Sequence, residues 1–264
     1  MDLQQLLIAF GLSLFIVIAA RWRRWLSQSG GAAALVVGVL IMGLGGWVWG
    51  VLLGVFFVTS SILSKFKADE KRKSAEKFDK GHERDAVQVL ANGGLGALLA
   101  ICHAIWPSPI WLSAFVGVMA TVNADTWATE LGTLSKRQPR LITTGTLVEV
   151  GTSGGVTPFG TFVSLVGGGL IGLVAAFWLW SDGGMWVLIG MIAGLAGSLF
   201  DSFLGATVQL IYWDDVLQKE TEKRAKYGRD LPRFRGWPFM TNDMVNLIAS
   251  IVGGLVAVTI TFAF

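Results

Sequence analysis

All 21 Lys and Arg residues of this 264-residue chain fall in four short windows, and the stretches between the windows are almost wholly apolar. Three basic residues sit in 21–29, eight in 63–85, three in 135–156 and seven in 213–242. A soluble fold spreads its cations along every element, because every element has a face in water. Long apolar runs alternating with basic windows instead describe a chain that crosses a bilayer repeatedly and keeps its cations on one side. The segments have helical rather than strand span lengths, and in lipid a helix satisfies its own backbone hydrogen bonds. The expected fold class is all-α, a polytopic transmembrane helical bundle of about seven to eight spans.

Composition agrees. Charged residues make up 15 % of the chain, against about a quarter in soluble domains. Hydrophobic residues reach 53 % and the mean hydropathy is +0.61. The formal charge of +3 and a pI near 9.1 fit topology signals and headgroup contact, with no call for nucleic acid. Cys102 is the only cysteine, which excludes an intrachain disulfide and a cysteine-based zinc site.

Apolar segments fall at about 3–20, 31–45, 47–64, 86–106, 110–134, 158–180, 185–212 and 243–264. The first has no basic n-region and is followed by Arg21, Arg23 and Arg24, so it reads as an uncleaved span with its N-terminus outside. The pair 31–45 and 47–64, joined by Gly45-Gly46, is either two thin spans or a re-entrant hairpin. Counted as two, it gives eight passes, places all four basic windows on the cytoplasmic side and leaves both termini outside. The opposite loops, Gly45-Gly46, Trp106 to Pro109 and Trp180 to Gly184, contain no Lys or Arg. The expectation is one integral-membrane domain over 1–264, with cytoplasmic loops at 63–85, 135–156 and 213–242, in an inner, plasma or thylakoid-type membrane. The window 63–85 mixes eight basic with six acidic residues and reads as polar helical extensions near headgroups. Trp47, Trp106, Trp111 and Trp180 read as interfacial anchors.

Three acids enter the apolar stretches, Asp125, Glu130 and Asp201. Each costs about 3 kcal/mol on insertion scales, so it needs a reason. With a rise of about 1.5 Å per residue, Asp125 lies about 22 Å into a fifth span beginning near Ile110, and Asp201 about 24 Å into a seventh beginning near Met185. Both spans run the same way, so the two carboxylates reach one level, towards the cytoplasmic leaflet. Asn242, Asp243 and Asn246, at the start of the last span, arrive there as well.

No Lys or Arg lies in those spans to neutralise the acids. A metal ion, a polar water-filled cavity or protonation remains. The ligands on offer are all oxygens: Asp125, Glu130, Asp201 and Asp243, with Asn123, Thr126, Ser202 and Asn242 beside them. Such a set suits Mg²⁺ better than zinc. A partly solvated helix end is the plain alternative, and it applies most to Glu130. Asp125 and Glu130 lie about 140° apart around a regular helix. Either the helix is distorted there or the two acids serve different parts of a site. Asp125-Thr126 and Asp201-Ser202 are weakly alike, too little to establish a repeat.

The loop between the fifth and sixth spans carries Gly151-Thr152-Ser153-Gly154-Gly155 just before a helix start. Small residues there free backbone N–H groups to curl around a phosphate, and a helix N-terminus favours an anion. Lys136, Arg137 and Arg140 add charge nearby. Taken alone the motif is equally a flexible loop. GxxxxGK[ST] is absent, which excludes a Walker-type NTPase. His82 and His103 lie away from this level and do not suit a base, while Gly194, Gly197 and Gly205 around Asp201 read as helix-packing positions.

Five ordered motifs carry a resemblance: NADTWATELG (123–132), PRLITT (139–144), GTSGGVTPFG (151–160), GSLFDSFLGATVQ (197–209) and TNDMVN (241–246). They resemble the integral-membrane family whose plant members are phytyl-phosphate kinases of tocopherol synthesis. They cover roughly 90–260, while the first three spans match only in hydrophobicity. The resemblance implies an Mg²⁺-dependent prenyl-phosphate kinase. It would move a phosphoryl group from a nucleoside triphosphate, CTP or ATP with CTP the first expectation, to a membrane-embedded isoprenoid monophosphate. Asp125, Glu130, Asp201, Gly151 to Gly155 and Asn242-Asp243 match family positions. Gln209 and Asn246 fall inside the motifs and join the substrate-binding set. The attacking phosphate oxygen is already anionic, so no histidine base is needed. The competing expectation is a transporter or channel that uses the buried carboxylates for protons or cations. A lipid-binding scaffold would leave the acids and the Gly/Ser/Thr loop without a purpose.

Overall fold

The structure, a computed structural model, describes residues 3–67, 70, 83–179 and 183–263. Each apolar segment forms one helix: α1 (Leu3–Trp22), α2 (Gln28–Gly45), α3 (Trp47–Lys65), α4 (Ala86–Ile105), α5 (Pro109–Gly132), α6 (Pro158–Leu179), α7 (Gly183–Thr207) and α8 (Asn242–Ala263). Starts follow side-chain caps. Ser27 Oγ accepts from Gly30 N–H, Asp85 and Gln88 form a reciprocal capping box, and Ser108 caps a helix with Pro in its first turn. Gly46 alone separates α2 from α3, at φ 95°. Those two helices have 18 and 19 residues, about 27 and 28 Å, so the pair reads as two crossings rather than a re-entrant hairpin.

Seven of the eight described helices are long and apolar enough to cross a membrane. The exception is α5, which carries Asp125 and Glu130 and is the axis of the bundle. It packs on α3, α4, α6, α7 and α8, and nearly every residue from Ser113 to Ala124 is buried. A helix enclosed by other helices has little lipid to match, so polar residues are tolerated where partners exist. Phe115 stacks on Trp49 of α3 at 4.3 Å. Small residues set the closest approaches: a Cβ on Gly168 of α6 would lie 2.4 Å from the Gly190 carbonyl oxygen of α7, and one on Gly190 2.5 Å from that of Gly168.

Neighbours in sequence run antiparallel. Gly132 lies beside Gly160, Gly172 beside Trp186, and Gly117 beside Gly253, so α5, α6, α7 and α8 alternate in direction. The described residues of the connectors 23–27, 66–85, 133–157 and 208–241 share one end of the bundle, and the described residues of the basic windows lie in and around them.

The polar connectors contain more structure than loops. Within 133–157, β1 (Arg140–Leu141) pairs with β2 (Gly155–Val156). The seventh segment, expected to run to 212, ends as a helix at Thr207 and turns into β3 (Ile211–Asp214). That strand is the centre of an antiparallel sheet with β4 (Lys219–Thr221) and β7 (Arg233–Arg235), and β5 (Ala225–Lys226) pairs with β6 (Arg229–Asp230). Fully buried Asp214 anchors the unit. Its carboxylate accepts from Val216 and Leu217 N–H, each at 3.0 Å, and from Lys226 Nζ at 2.7 Å. Burial pushes this carboxyl up, but those donors and the Lys226 charge outweigh it and hold it below its ordinary range. Most of the charged connector 63–85, with His82, lies outside the described residues, as does Trp180.

Candidate active site

Parallel helices α5 and α7 bring two acids to the connector-rich end. Asp125 lies sixteen residues beyond Pro109, about 24 Å, and Asp201 eighteen beyond Gly183, about 27 Å. Ser198 Oγ of α7 donates to Asp125 Oδ1 at 3.4 Å and lies 3.1 Å from Ser164 Oγ of α6, which links three helices behind the carboxylate. Asp201 Oδ2 is buried and has no hydrogen-bond partner. Asp125 and Glu222 are both near enough to repel Asp201 electrostatically. A buried acceptor facing like charge is a costly arrangement unless a cation completes it.

Both acids line a cavity of about 710 Å³, within the range of small-molecule sites. Thr126, Glu130, Gly151 to Gly155, Ser202, Asn242, Asp243 and Asn246 line it too. The helix through Asp125 and Glu130 is unbroken, so the two acids serve different walls of one cavity. Asp125 faces Ser198, while Glu130 interacts with the Arg84 guanidinium.

Gly151 to Gly155 is held in place from beneath. Gly154 has φ 84°, and a Cβ there would sit 2.5 Å from the backbone nitrogen of Ala206, so only glycine lets the loop rest on the end of α7. Ser153 Oγ donates to Gln209 Oε1 at 2.5 Å, and Gln209 Nε2 donates to Glu222 Oε1 at 2.8 Å. Arg235 donates to the Gly205 carbonyl at 2.7 Å and to Glu220 at 3.2 Å. Thr157 caps α6, its Oγ1 accepting from Gly160 N–H at 2.9 Å. The first turn of that helix thus opens on the cavity with N–H groups and the positive end of its dipole.

The sequence pattern of the family described as integral membrane protein DUF92 matches residues 11–254. The chain belongs to that family. It is 36 % identical to Protein PGR of Arabidopsis thaliana, over 93 % of this chain and 92 % of that protein. An uncharacterized membrane protein of Methanocaldococcus jannaschii is 32 % identical, over 98 % of this chain and 97 % of its own length. Protein VTE6, chloroplastic, of Arabidopsis thaliana is 25 % identical, over 95 % of this chain and 70 % of that protein. No solved structure matches the chain. The integral-membrane family expected from the five motifs is thus the one found.

Several expected residues fall elsewhere in this DUF92 protein. Asn123 is fully buried and does not line the cavity; its side chain donates to the Gly167 carbonyl at 2.7 Å and accepts from Thr59 Oγ1 at 3.1 Å, joining α3, α5 and α6. Lys136, Arg137 and Arg140 are exposed and outside the lining, with the Arg140 guanidinium on the Gly145 carbonyl at 2.7 Å. Gln209 stands behind the wall as a brace. Asp125, Glu130, Asp201 and Asp243 do not close on one point: among the described residues no three acids, histidines or cysteines are grouped tightly enough to hold an ion by themselves.

Other residues enter unannounced. Arg84, Gln88 and Asn92 line the cavity from the α4 side, and Glu222, Lys223 and Arg224 line it from the turn after β4. Arg84 brings a cation where none was expected. Burial lowers its guanidinium to about 10 and Glu130 raises it, so it stays charged at neutral pH. The signal for Arg84 lay in sequence, immediately before the Asp85 capping box, but seven other cations in the same window hid it.

Proposed function

We propose that this protein is a prenyl-phosphate kinase, which transfers the terminal phosphoryl group of a nucleoside triphosphate, CTP first, to an isoprenoid monophosphate held in the membrane. The observation that carries the reading is the meeting of Asp125, Asp201, the Gly151–Gly155 loop and the N-terminal turns of α6 and α8 on one polar cavity. An acid pair beside an anion-binding loop suits a reaction between two polyanions. The motif resemblance to the phytyl-phosphate kinases points the same way. By the positive-inside rule the cavity would face the cytoplasm, open to nucleotide from water and to lipid from the bilayer.

The residues fit a magnesium ion. Asp201 Oδ2 is a buried acceptor without a donor, and Asp125 stands near it. Mg²⁺ is commonly held by one or two carboxylates with water and substrate phosphates, so a two-acid set suffices where a four-acid cage is not formed. Bound between Asp125 and Asp201, it would neutralise charge on the transferring phosphoryl group.

The loop N–H groups from Gly151 to Gly155 and the α6 N-terminus would hold the nucleotide phosphates. Ser198 keeps the Asp125 carboxylate aimed into the cavity. An acceptor phosphate oxygen forms a bond to the γ-phosphorus, the bond from that phosphorus to the β,γ-bridging oxygen breaks, and the nucleoside diphosphate leaves with the electron pair. The acceptor oxygen carries no proton that must be removed, so the reaction needs no histidine base.

Transport fits less well. A transporter site sits near the midplane between interrupted helices, whereas α5 and α7 run as continuous helices past Asp125 and Asp201 near one end. The test is incubation of purified protein with Mg²⁺, γ-labelled CTP or ATP and prenyl monophosphates of several chain lengths. Labelled lipid diphosphate is expected, and its absence with every pairing would overturn the proposal.

A further inference from the structure

A second cavity, about 110 Å³ and almost wholly apolar, lies among α1, α2, α3 and α4. Its walls include Leu12 and Ile16 of α1, Val37 of α2, and Leu53, Gly54 and Phe57 of α3. Three of its residues, Arg84, Gln88 and Asn92, also line the polar cavity. The two spaces therefore adjoin across a single cation.

We propose that this apolar cavity holds the isoprene unit next to the phosphate of the lipid monophosphate acceptor, with the phosphate gripped by Arg84 and the rest of the chain leaving past Leu12 and Ile16 into the bilayer. The inference rests on the kinase reading and adds to it where the acceptor head and the start of its chain lie. An anionic head on an apolar tail is the ligand that such a junction complements in both charge and polarity. A free nucleotide would leave the oily half unused, and a lipid without an anionic head would make no use of the guanidinium that stands at the junction beside Glu130.

Arg84 is built to stay at that junction. Its backbone N–H donates to the Trp25 carbonyl at 3.0 Å, and its own carbonyl accepts from Ser27 N–H at 3.0 Å. Asp85, the next residue, starts α4 through its capping box. The guanidinium donates to Ser61 Oγ at 3.0 Å and lies over Phe56 and Phe57 at 5.9 and 5.8 Å. Arginine has five N–H donors, so donors remain beyond Ser61 for a phosphate entering from the polar side.

Gly54 offers the probe. A Cβ built there meets nothing within 4 Å, so Gly54→Leu adds bulk to the cavity without displacing a neighbour's atoms at the first carbon. Gly11 is equally open but lies on the exposed face of α1 and outside the cavity lining, so Gly11→Leu is the control.

The experiment uses the full chain in nanodiscs with geranylgeranyl monophosphate carrying a diazirine in the isoprene unit next to the phosphate, followed by mapping of the photo-adducts. Adducts on α1 and α3 around Ile16, Leu53 and Phe57 are expected. Gly54→Leu should reduce them about tenfold or more, as steric exclusion of a few carbons can, while Gly11→Leu should not. Adducts confined to α6 or α7, or labelling unchanged by Gly54→Leu, would overturn the proposal. The same proteins are then assayed with geranyl and geranylgeranyl monophosphates, and Gly54→Leu should lower kcat/KM for both acceptors while Gly11→Leu leaves both unchanged. Transfer to any acceptor by the unmodified protein bears on the kinase reading, and the adduct map bears on the chain site. Either can fail alone.

Discussion

Replacing Gln209 by Leu keeps most of the side-chain volume and removes the donors and acceptor that brace the Gly151–Gly155 loop. Two short hydrogen bonds go, from Ser153 at 2.5 Å and to the Glu222 carboxylate at 2.8 Å. A third, to Asn242 at 3.5 Å, is too long to add much. A neutral bond contributes about 1 kcal/mol and one to a charged group about 1.5–3 kcal/mol. Because Ser153 and Glu222 both line the cavity, water recovers part of this, leaving about 2–3 kcal/mol. If nucleotide binding must re-order the loop at that cost, nucleotide affinity falls by about 30- to 150-fold. Initial rates with varied CTP or ATP and fixed prenyl monophosphate would read this as a higher nucleotide KM with little change in acceptor KM. Gln209→Glu should be worse, since it sets a second carboxylate against Glu222 where Gln209 now donates. A Gln209→Leu protein with unchanged nucleotide KM, or with both KM values raised alike, would refute the brace.

Asn123→Leu should lower thermal stability by about 1–2 kcal/mol, because it removes the side-chain donor to the Gly167 carbonyl, while Thr59 keeps its bonds to the Val55 carbonyl and from Trp127. Nucleotide and acceptor KM should stay near wild type; a selective KM change would return Asn123 to the site. Arg84→Gln should raise acceptor KM with little effect on nucleotide KM, and equal effects on both would contradict an acceptor role. The Asp214–Lys226 pair gives a pH signature. Burial lowers the Lys226 ammonium, but the hydrogen bond and charge of Asp214 more than offset this and raise it above the ordinary lysine value, while Asp214 is held below the carboxylate range. The Asp214 contribution is therefore present above about pH 4 and lost as pH falls through the depressed folded value. The Lys226 contribution is present below about pH 10.5 and lost as pH rises through the raised one. Thermal melts should thus be nearly independent of this pair between those limits, and Lys226→Met should lower stability there. A loss near neutral pH in the parent that disappears in Lys226→Met would contradict the assignment.

The eight helices were legible because lipid imposes length and apolarity on any segment that crosses it, and caps such as Ser27, Asp85 and Ser108 mark where several of them start. The end of α7 was misjudged because Ile211 and Tyr212 continue its apolar run. Those residues serve a strand, whose two ends, Ile211 and Asp214, are buried. The acids were legible from depth, since two carboxylates at matched distances along parallel helices must share a level. Asn123 was assigned by polarity when rotation decides: it precedes Asp125 by two residues, about 200° around the helix, so it faces the protein interior. Arg84 was legible only through its place before the Asp85 capping box, and Glu222 to Arg224 were not legible, because a charged residue among many in a connector shows no sign of which one folds back. Lys136, Arg137 and Arg140 illustrate the converse, cations near the loop in sequence that stand exposed in the bend before β1 and in β1 itself.

The most direct measurement compares phosphoryl transfer by the unmodified protein with that by Asp125→Asn and Asp201→Asn in the same nanodiscs, with Mg²⁺ and γ-labelled CTP and ATP. Folding of all three is verified by thermal melt. The kinase account predicts label in prenyl diphosphate with the unmodified protein and none above background with either variant. No labelled lipid from the unmodified protein across acceptors, or equal labelling by all three proteins, would contradict it.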